Sequence, residues 1–145
     1  MPVIRHAGLL ARRLGGDWLG ALIEGPSGSG KSDLALRAMD AGWSLVADDR
    51  TLLWACEGRL YGRAPDTLAG LVEVRGLGVL AARRRVYAEI RLAVRCVAAE
   101  AVERLPDTET LALLGVDLSL VRLAALEASA PAKLSRAMTH LGVRP

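Results

Sequence analysis

An eight-residue segment near the N-terminus has the pattern G-x-x-x-x-G-K-[ST], which binds nucleotide phosphates. The segment GPSGSGKS follows the apolar run LGALIE (19–24) and precedes a helix-like pattern. Its glycines let backbone N–H groups turn toward an anion, and the helix start adds a positive dipole end. The lysine offers an ammonium group to the outer phosphates, and the last serine offers Mg²⁺ a hard oxygen. The predicted phosphate-binding residues are Gly25, Pro26, Ser27, Gly28, Ser29, Gly30, Lys31 and Ser32.

Two adjacent acids, Asp48 and Asp49, end the next apolar segment, WSLVA (43–47). In phosphate-loop proteins an acid at this point commonly holds Mg²⁺. Neighbouring residues on a strand point in opposite directions, so the two carboxylates can have different roles. One can serve the metal, and the other can accept a proton from a hydroxyl that attacks phosphorus. The alternative is a solvated turn, since Asp is common after strands.

The elements that position these residues form one β–α–β-like unit and then change character. After strand 43–47, TLLWACEGRLYGRA (51–64) predicts two short strands around a Glu57-Gly58 turn. AEIRLAVRCV (88–97) predicts a half-exposed strand with Ile90, Leu92, Val94 and Cys96 on one face, and LPDTET (105–110) indicates a loop. The segment LVRLAALEAS (120–129) predicts a strand, and Ser129 at its end is predicted to cap the final helix. We therefore expect a single α/β domain over residues 1–145, a P-loop nucleotide-binding domain with a mixed, hairpin-rich sheet.

Composition narrows the class of protein. The chain has 145 residues, a formal net charge of +3 and 3% aromatic residues. So few aromatic residues predict no stacking surface for bases, which disfavours a nucleic-acid partner. No run approaches the ~20 apolar residues of a membrane span. We expect a cytoplasmic protein that binds neither nucleic acid nor membrane.

Three segments in order resemble the catalytic domain of the HPr kinase/phosphorylase family. They are the phosphate loop, the segment LVADD (45–49) and, about two dozen residues later, LVEVRGLGVL (71–80). The bacterial enzymes of this family phosphorylate a serine of the phosphocarrier protein HPr and can remove the phosphate again. The resemblance implies a fold related to that of phosphoenolpyruvate carboxykinase, in a short form without the family's N-terminal domain.

The resemblance also implies a role for individual residues. Asp49 matches the family's general base, and Lys31 its active-site lysine. Ser32 and Glu73 match its metal ligands, with Asp48 beside them. Arg75 matches a segment important for catalysis, and an upstream histidine matches His6, which the residues alone would make an ordinary polar side chain. Arg122 is the nearest match to an arginine-rich loop associated with dephosphorylation.

The resemblance implies an ATP- and Mg²⁺-dependent protein-serine kinase that phosphorylates HPr or an HPr-like phosphocarrier and so regulates a phosphotransferase system. The resemblance adds phosphoserine-HPr phosphorylase activity and a homo-oligomer. A small-molecule P-loop kinase is an alternative, although such enzymes usually continue with parallel βα units. A non-catalytic nucleotide sensor is another, although it would need fewer acids than Asp48, Asp49 and Glu73 provide.

Overall fold

The computed structural model describes residues 2–66, 70–82 and 84–143. Nine strands form the main sheet, in the order β1-β5-β6-β9-β3-β2-β4, with β11 also on β9 and β10 on β11. Strands β7 and β8 form a separate hairpin. The strands are β1 (Val3–Arg5), β2 (Gly8–Leu14), β3 (Asp17–Glu24), β4 (Ser44–Ala47), β5 (Thr51–Cys56), β6 (Arg59–Arg63), β7 (Leu71–Val74), β8 (Gly78–Ala81), β9 (Tyr87–Cys96), β10 (Glu109–Leu113) and β11 (Val116–Leu123), and the helices are α1 (Lys31–Asp40) and α2 (Ala130–Ala137).

Strand direction brings several chain segments to one edge of the sheet. Strand β2 is antiparallel to both β3 and β4, whereas β3, β9 and β11 run parallel. Strands β3, β4, β9 and β11 therefore all end at the same edge, which we call the carboxyl edge. Strand β2 begins there. Segments that follow the four strands, and the one that precedes β2, are thus neighbours.

Both faces of the central strands are buried. One face packs under the helices, with Leu34 of α1 and Leu134 of α2 completely buried. On the other face, Leu9 and Val46 share a cluster with Leu53 of β5 and Leu60 of β6. Because β5 and β6 are remote from β2 and β4 in the strand order, this contact requires the sheet to curl over itself.

The prediction of a single half-exposed face on β9 is wrong. Gly20 pairs with Ile90 but Ala21 pairs with Leu92, so Arg91 forms a bulge. A bulge reverses the side on which the following residues point. Ile90 accordingly lies in one cluster, whereas Leu92 lies in the cluster under the helices. The bulge falls where β9 exchanges one neighbour, β6, for another, β11.

The hairpin-rich second half is confirmed, with some differences in detail. The predicted turn joins β5 to β6, where Glu57 and Gly58 both have positive φ. The segment predicted as a loop at 105–110 already begins β10 at Glu109, because cross-strand pairing with β11 outweighs its polar composition. Ser129 precedes α2 as expected, but its side chain makes no capping hydrogen bond.

Three aromatic side chains lie together, which the low aromatic content of the sequence does not predict. Trp54 and Tyr61 stack with their ring centroids 5.7 Å apart, and Tyr87 lies 6.3 Å from each. These three of the chain's five aromatic residues share the outer face of β5, β6 and β9. Cross-strand pairing, which composition does not report, concentrates them there.

The helices are too short or too polar to cross a membrane throughout the described parts of the chain.

We predict that Gly62→Ala destabilises the fold by about 1–3 kcal/mol through overpacking. A Cβ at Gly62 would lie 2.8 Å from Leu9 Cδ2 and 2.9 Å from Thr51 Cγ2. Urea unfolding measures the loss. Gly8→Ala is the matched control, because its Cβ would meet Ala47 O at an ordinary 3.5 Å. Equal stability of the two variants would contradict the prediction.

Candidate active site

The predicted phosphate loop connects β3 to α1 at the carboxyl edge. Gly30 precedes the helix with a φ of 95°, and its carbonyl accepts a hydrogen bond from Leu34 N at 2.8 Å. Lys31 Nζ donates to Gly25 O at 2.5 Å and Pro26 O at 3.1 Å. The loop thus has a helix N-terminus, a glycine in the left-handed region and one ammonium group, which are the features that accommodate an anion.

Two close approaches fix this loop against the neighbouring strand ends. A Cβ at Gly25 would lie 2.9 Å from Cys96 Cβ, at the end of β9. A Cβ at Gly30 would lie 2.7 Å from Leu126 Cδ2, in the segment after β11. A side chain at Gly25 would collide with Cys96, and one at Gly30 would displace the side chain of Leu126. Burial raises the pKa of the Cys96 thiol, although the charge of Lys31 opposes the shift.

Asp48 lies on the α1 side of the carboxyl edge. It lines a cleft together with Lys31, Ser32 and Asp49. Its Oδ2 accepts a long hydrogen bond from Glu73 N at 3.4 Å. Burial raises the pKa of Asp48; the Glu73 hydrogen bond opposes the shift, and the charges of Asp49 and Glu73 add to it.

Asp49 has a different partner from Asp48, although both acids lie in the bend after β4 and not on the strand, and both line the same cleft. Its Oδ1 lies 2.7 Å from His6 Nε2. The two side chains are 59% and 65% exposed, so this pair is open to an approaching molecule. Asp49 has a φ of 67°, in the left-handed region, which turns the chain sharply after β4. His6 reaches it because β2, which begins two residues later, starts at the carboxyl edge.

Glu73 and Arg75 lie on the β7–β8 hairpin. Glu73 is exposed on β7, and its backbone brings it beside Asp48. Arg75 is exposed in the turn, without a hydrogen bond or ion pair to the residues that the structure describes. Arg122 lies near the end of β11, two strands from the end of β3, and its guanidinium donates to both carboxylate oxygens of Glu109 at 3.2 Å. Arg122, the nearest match to the arginine-rich loop, is thus already paired with Glu109.

Sequence reasoning missed Glu24, the last residue of β3. Its carboxylate accepts hydrogen bonds from Arg5 Nη2 at 2.8 Å and Arg95 Nη2 at 2.7 Å, and its side chain is only 11% exposed. Burial alone would raise the pKa of Glu24, but the Arg95 and Arg5 hydrogen bonds outweigh it and the pKa is lowered. This cluster ties the start of the phosphate loop to β9 and to the residue before His6. A lone acid after an apolar strand gave no signal of it.

Arg37 of α1 was missed as well. Its Nη1 donates to Glu127 O at 2.9 Å, and its Nη2 donates to Ala125 O. Its Nε donates to Asp33 one helical turn earlier. The side chain therefore holds both residues that flank Leu126. On sequence alone Arg37 is one more polar residue on an amphipathic helix.

Within 2–66, 70–82 and 84–143, no three His, Cys, Asp or Glu side chains converge as a metal site. Mg²⁺ ordinarily needs fewer protein ligands, because nucleotide phosphates and water fill most of its six positions. Ser32 and Asp48 line one cleft, so a hydroxyl and a carboxylate, both hard oxygen ligands, are available in the same space. These residues fit a nucleotide-bound Mg²⁺.

A phosphate loop at the carboxyl edge of a mixed, curled sheet defines a P-loop α/β domain. The chain belongs to the family of the HPr serine kinase C-terminal domain, whose model matches residues 16–134.

Individual relatives agree with this assignment. The chain is 41% identical over 117 residues to the HPr kinase/phosphorylase of Bordetella pertussis and 43% identical over 79 residues to that of Clostridium tetani. The matches cover 72% and 54% of this chain, but only 38% and 25% of the relatives. The solved HPr(Ser) kinase/phosphatase of Coxiella burnetii has a TM-score of 0.81 at 23% identity, covering 95% of both chains, and confirms the predicted fold class.

We predict that Glu24→Gln lowers the free energy of unfolding by about 2 kcal/mol at pH 7, since hydrogen bonds to charged groups contribute about that much. The folded-state pKa of Glu24 lies below its ordinary value of 4.5. Its contribution is therefore complete above 4.5 and disappears as the pH falls through the folded value. Urea unfolding at pH 7 and pH 3 should show the two proteins converging.

The control is Glu109→Gln, which breaks a comparable arginine pair whose side chains are about 40% exposed. Its cost should stay below about 1 kcal/mol. A Glu24→Gln deficit that is the same at both pH values would show that the ionised carboxylate is not the cause.

Proposed function

We propose that this domain transfers the γ-phosphate of ATP to a serine of HPr or an HPr-like phosphocarrier. The observation that carries the proposal is the exposed His6–Asp49 pair beside the phosphate loop. A nucleotide sensor has no use for an exposed, oriented carboxylate next to the terminal phosphate. A kinase needs one, because a serine hydroxyl is a weak nucleophile.

Asp49 acts as the general base. The serine Oγ forms a bond to the γ-phosphorus as the bond to the ADP oxygen breaks, and the serine proton passes to Asp49. His6 orients the carboxylate through the 2.7 Å contact. In the phosphorylase reaction, an oxygen of inorganic phosphate forms a bond to the phosphorus of phosphoserine as the bond to the serine Oγ breaks and pyrophosphate forms. The proton that the attacking phosphate loses passes through Asp49 to the departing serine oxygen.

Charge around the phosphates is balanced by the loop and its neighbours. Lys31, which donates to two carbonyls of its own loop, is the cation for the outer phosphates. Arg75 has no ion pair to the described residues and is available from the hairpin. Ser32, Asp48 and Glu73 would hold Mg²⁺, which neutralises charge on the transferring group.

The β7–β8 hairpin favours a protein acceptor over a small metabolite. Leu77 and Val79 are 72% and 65% exposed, beside Glu73. Small-molecule kinases close over their substrates to exclude water, whereas this edge is open and carries apolar side chains that a partner surface could cover. Regulation of a phosphotransferase system, a homo-oligomer, a cytoplasmic location and the single-domain boundary 1–145 stay predictions.

We predict that Asp49→Asn reduces phosphate transfer to HPr by about 10²–10⁴-fold, the usual contribution of a general base. ATP affinity should change little. Asn is the appropriate substitution because it tolerates the left-handed φ of 67° at this position. Intact-mass spectrometry of HPr after incubation with Mg-ATP measures transfer.

Asp17→Asn, at the opposite edge of the sheet, should leave transfer unchanged. Wild-type rates in Asp49→Asn would remove Asp49 from the role of base. Phosphorylated metabolites without phosphorylated HPr would favour the small-molecule kinase, and ATP binding without any acceptor would favour the sensor.

We also predict that Leu77→Ser raises the KM for HPr several-fold with kcat and the KM for ATP nearly unchanged, because it removes apolar contact area at the partner surface. Initial rates at varied HPr concentration measure the effect. Leu114→Ser is the control, since Leu114 is 41% exposed in the β10–β11 turn, at the edge of the sheet opposite the phosphate loop. Equal KM values for HPr in the two variants would remove the hairpin from the docking surface.

A further inference from the structure

We infer that Leu126 and the strand end beside it form the binding surface for the nucleoside part of the nucleotide. This inference rests on the proposed function, because it assumes that phosphates occupy the loop at Gly25–Ser32. It adds a location for the base and the ribose.

The strand order sets the direction in which a nucleotide must extend. The phosphate loop follows β3, Asp49 follows β4 on one side, and Leu126 follows β11 on the other. Strands β4 and β11 each lie two strands from β3, so their ends are about 10 Å from the end of β3 at the usual strand spacing. A terminal phosphate that faces Asp49 therefore places the rest of the nucleotide toward β9 and β11.

Leu126 is held in contact with the loop. A Cβ at Gly30 would lie 2.7 Å from Leu126 Cδ2 and 2.8 Å from its Cγ, so the leucine covers the glycine directly. It is nevertheless 67% exposed. An exposed leucine that touches a phosphate loop offers an apolar surface for the face of a nucleobase.

The segment around Leu126 is fixed in advance. Arg37 donates to the carbonyls of both Ala125 and Glu127. Glu127 accepts a hydrogen bond from Lys133 Nζ at 2.8 Å, and its N–H donates to Ala124 O at 3.1 Å. Because the residues on both sides are held by α1 and α2, the backbone at Leu126 need not be ordered when a ligand binds, which lowers the entropic cost of binding.

The experiment compares Mg-ATP with Mg-tripolyphosphate, which has the phosphates but no nucleoside. Isothermal titration calorimetry measures both affinities for the wild type, Leu126→Ser and the control Leu114→Ser. Leu114 lies in the β10–β11 turn at the opposite edge of the sheet and is 41% exposed. We expect Leu126→Ser to weaken ATP binding about 5- to 10-fold, with tripolyphosphate binding and the control within 2-fold of wild type.

Each other outcome has one meaning. Equal losses for ATP and tripolyphosphate would show that Leu126 only shapes the loop, and unchanged ATP affinity would place the nucleoside elsewhere; both overturn the inference. Wild-type protein that binds neither ligand would overturn the inference and the proposed function together. A selective loss of ATP binding in a protein that transfers nothing to HPr would support the inference and remove the function.

Discussion

The common direction of β3, β4, β9 and β11 is the constraint on which the site depends. It places the phosphate loop, the acid pair, Cys96 and Leu126 at one edge, although they are separated by up to a hundred residues. The antiparallel strand β2 between β3 and β4 is equally necessary. Because it runs in the other direction, it starts where its neighbours end, and His6 reaches Asp49 only for that reason.

Packing and chemistry make the same demands on the phosphate loop. Gly25 and Gly30 leave the backbone open to an anion. They also leave room for neighbouring side chains, since Cys96 packs against Gly25 and Leu126 against Gly30. Below the loop, Glu24 joins β3 to Arg5 and Arg95. The loop therefore contacts a part-buried ionic cluster on one side and apolar side chains on the other, so its shape is set before a ligand arrives.

The sequence was informative wherever function restricts residue type over a short stretch. The loop between β3 and α1 and the turn at Glu57-Gly58 both follow from local backbone geometry. What it could not show depends on distant pairing. Glu24 pairs with arginines that are distant in the chain, and Arg37 donates to the carbonyls of residues 125 and 127. The start of β10 inside a polar segment likewise depends on its pairing with β11. The alternation of apolar residues also failed to predict which side chains of β9 share a face, because the hydrophobic pattern does not reveal the bulge.

That bulge has a consequence for how this chain tolerates changes in length. Upstream of Arg91 the strand belongs with β6, and downstream with β11. Losing a single amino acid between Tyr87 and Cys96 would turn one half of the strand inside out and expose one of the two cores to water. Length variation should instead accumulate in the turns at Gly15-Gly16 and Leu114-Gly115, which lie at the edge away from the site. Arg91 is therefore the position at which the side-chain alternation of β9 reverses.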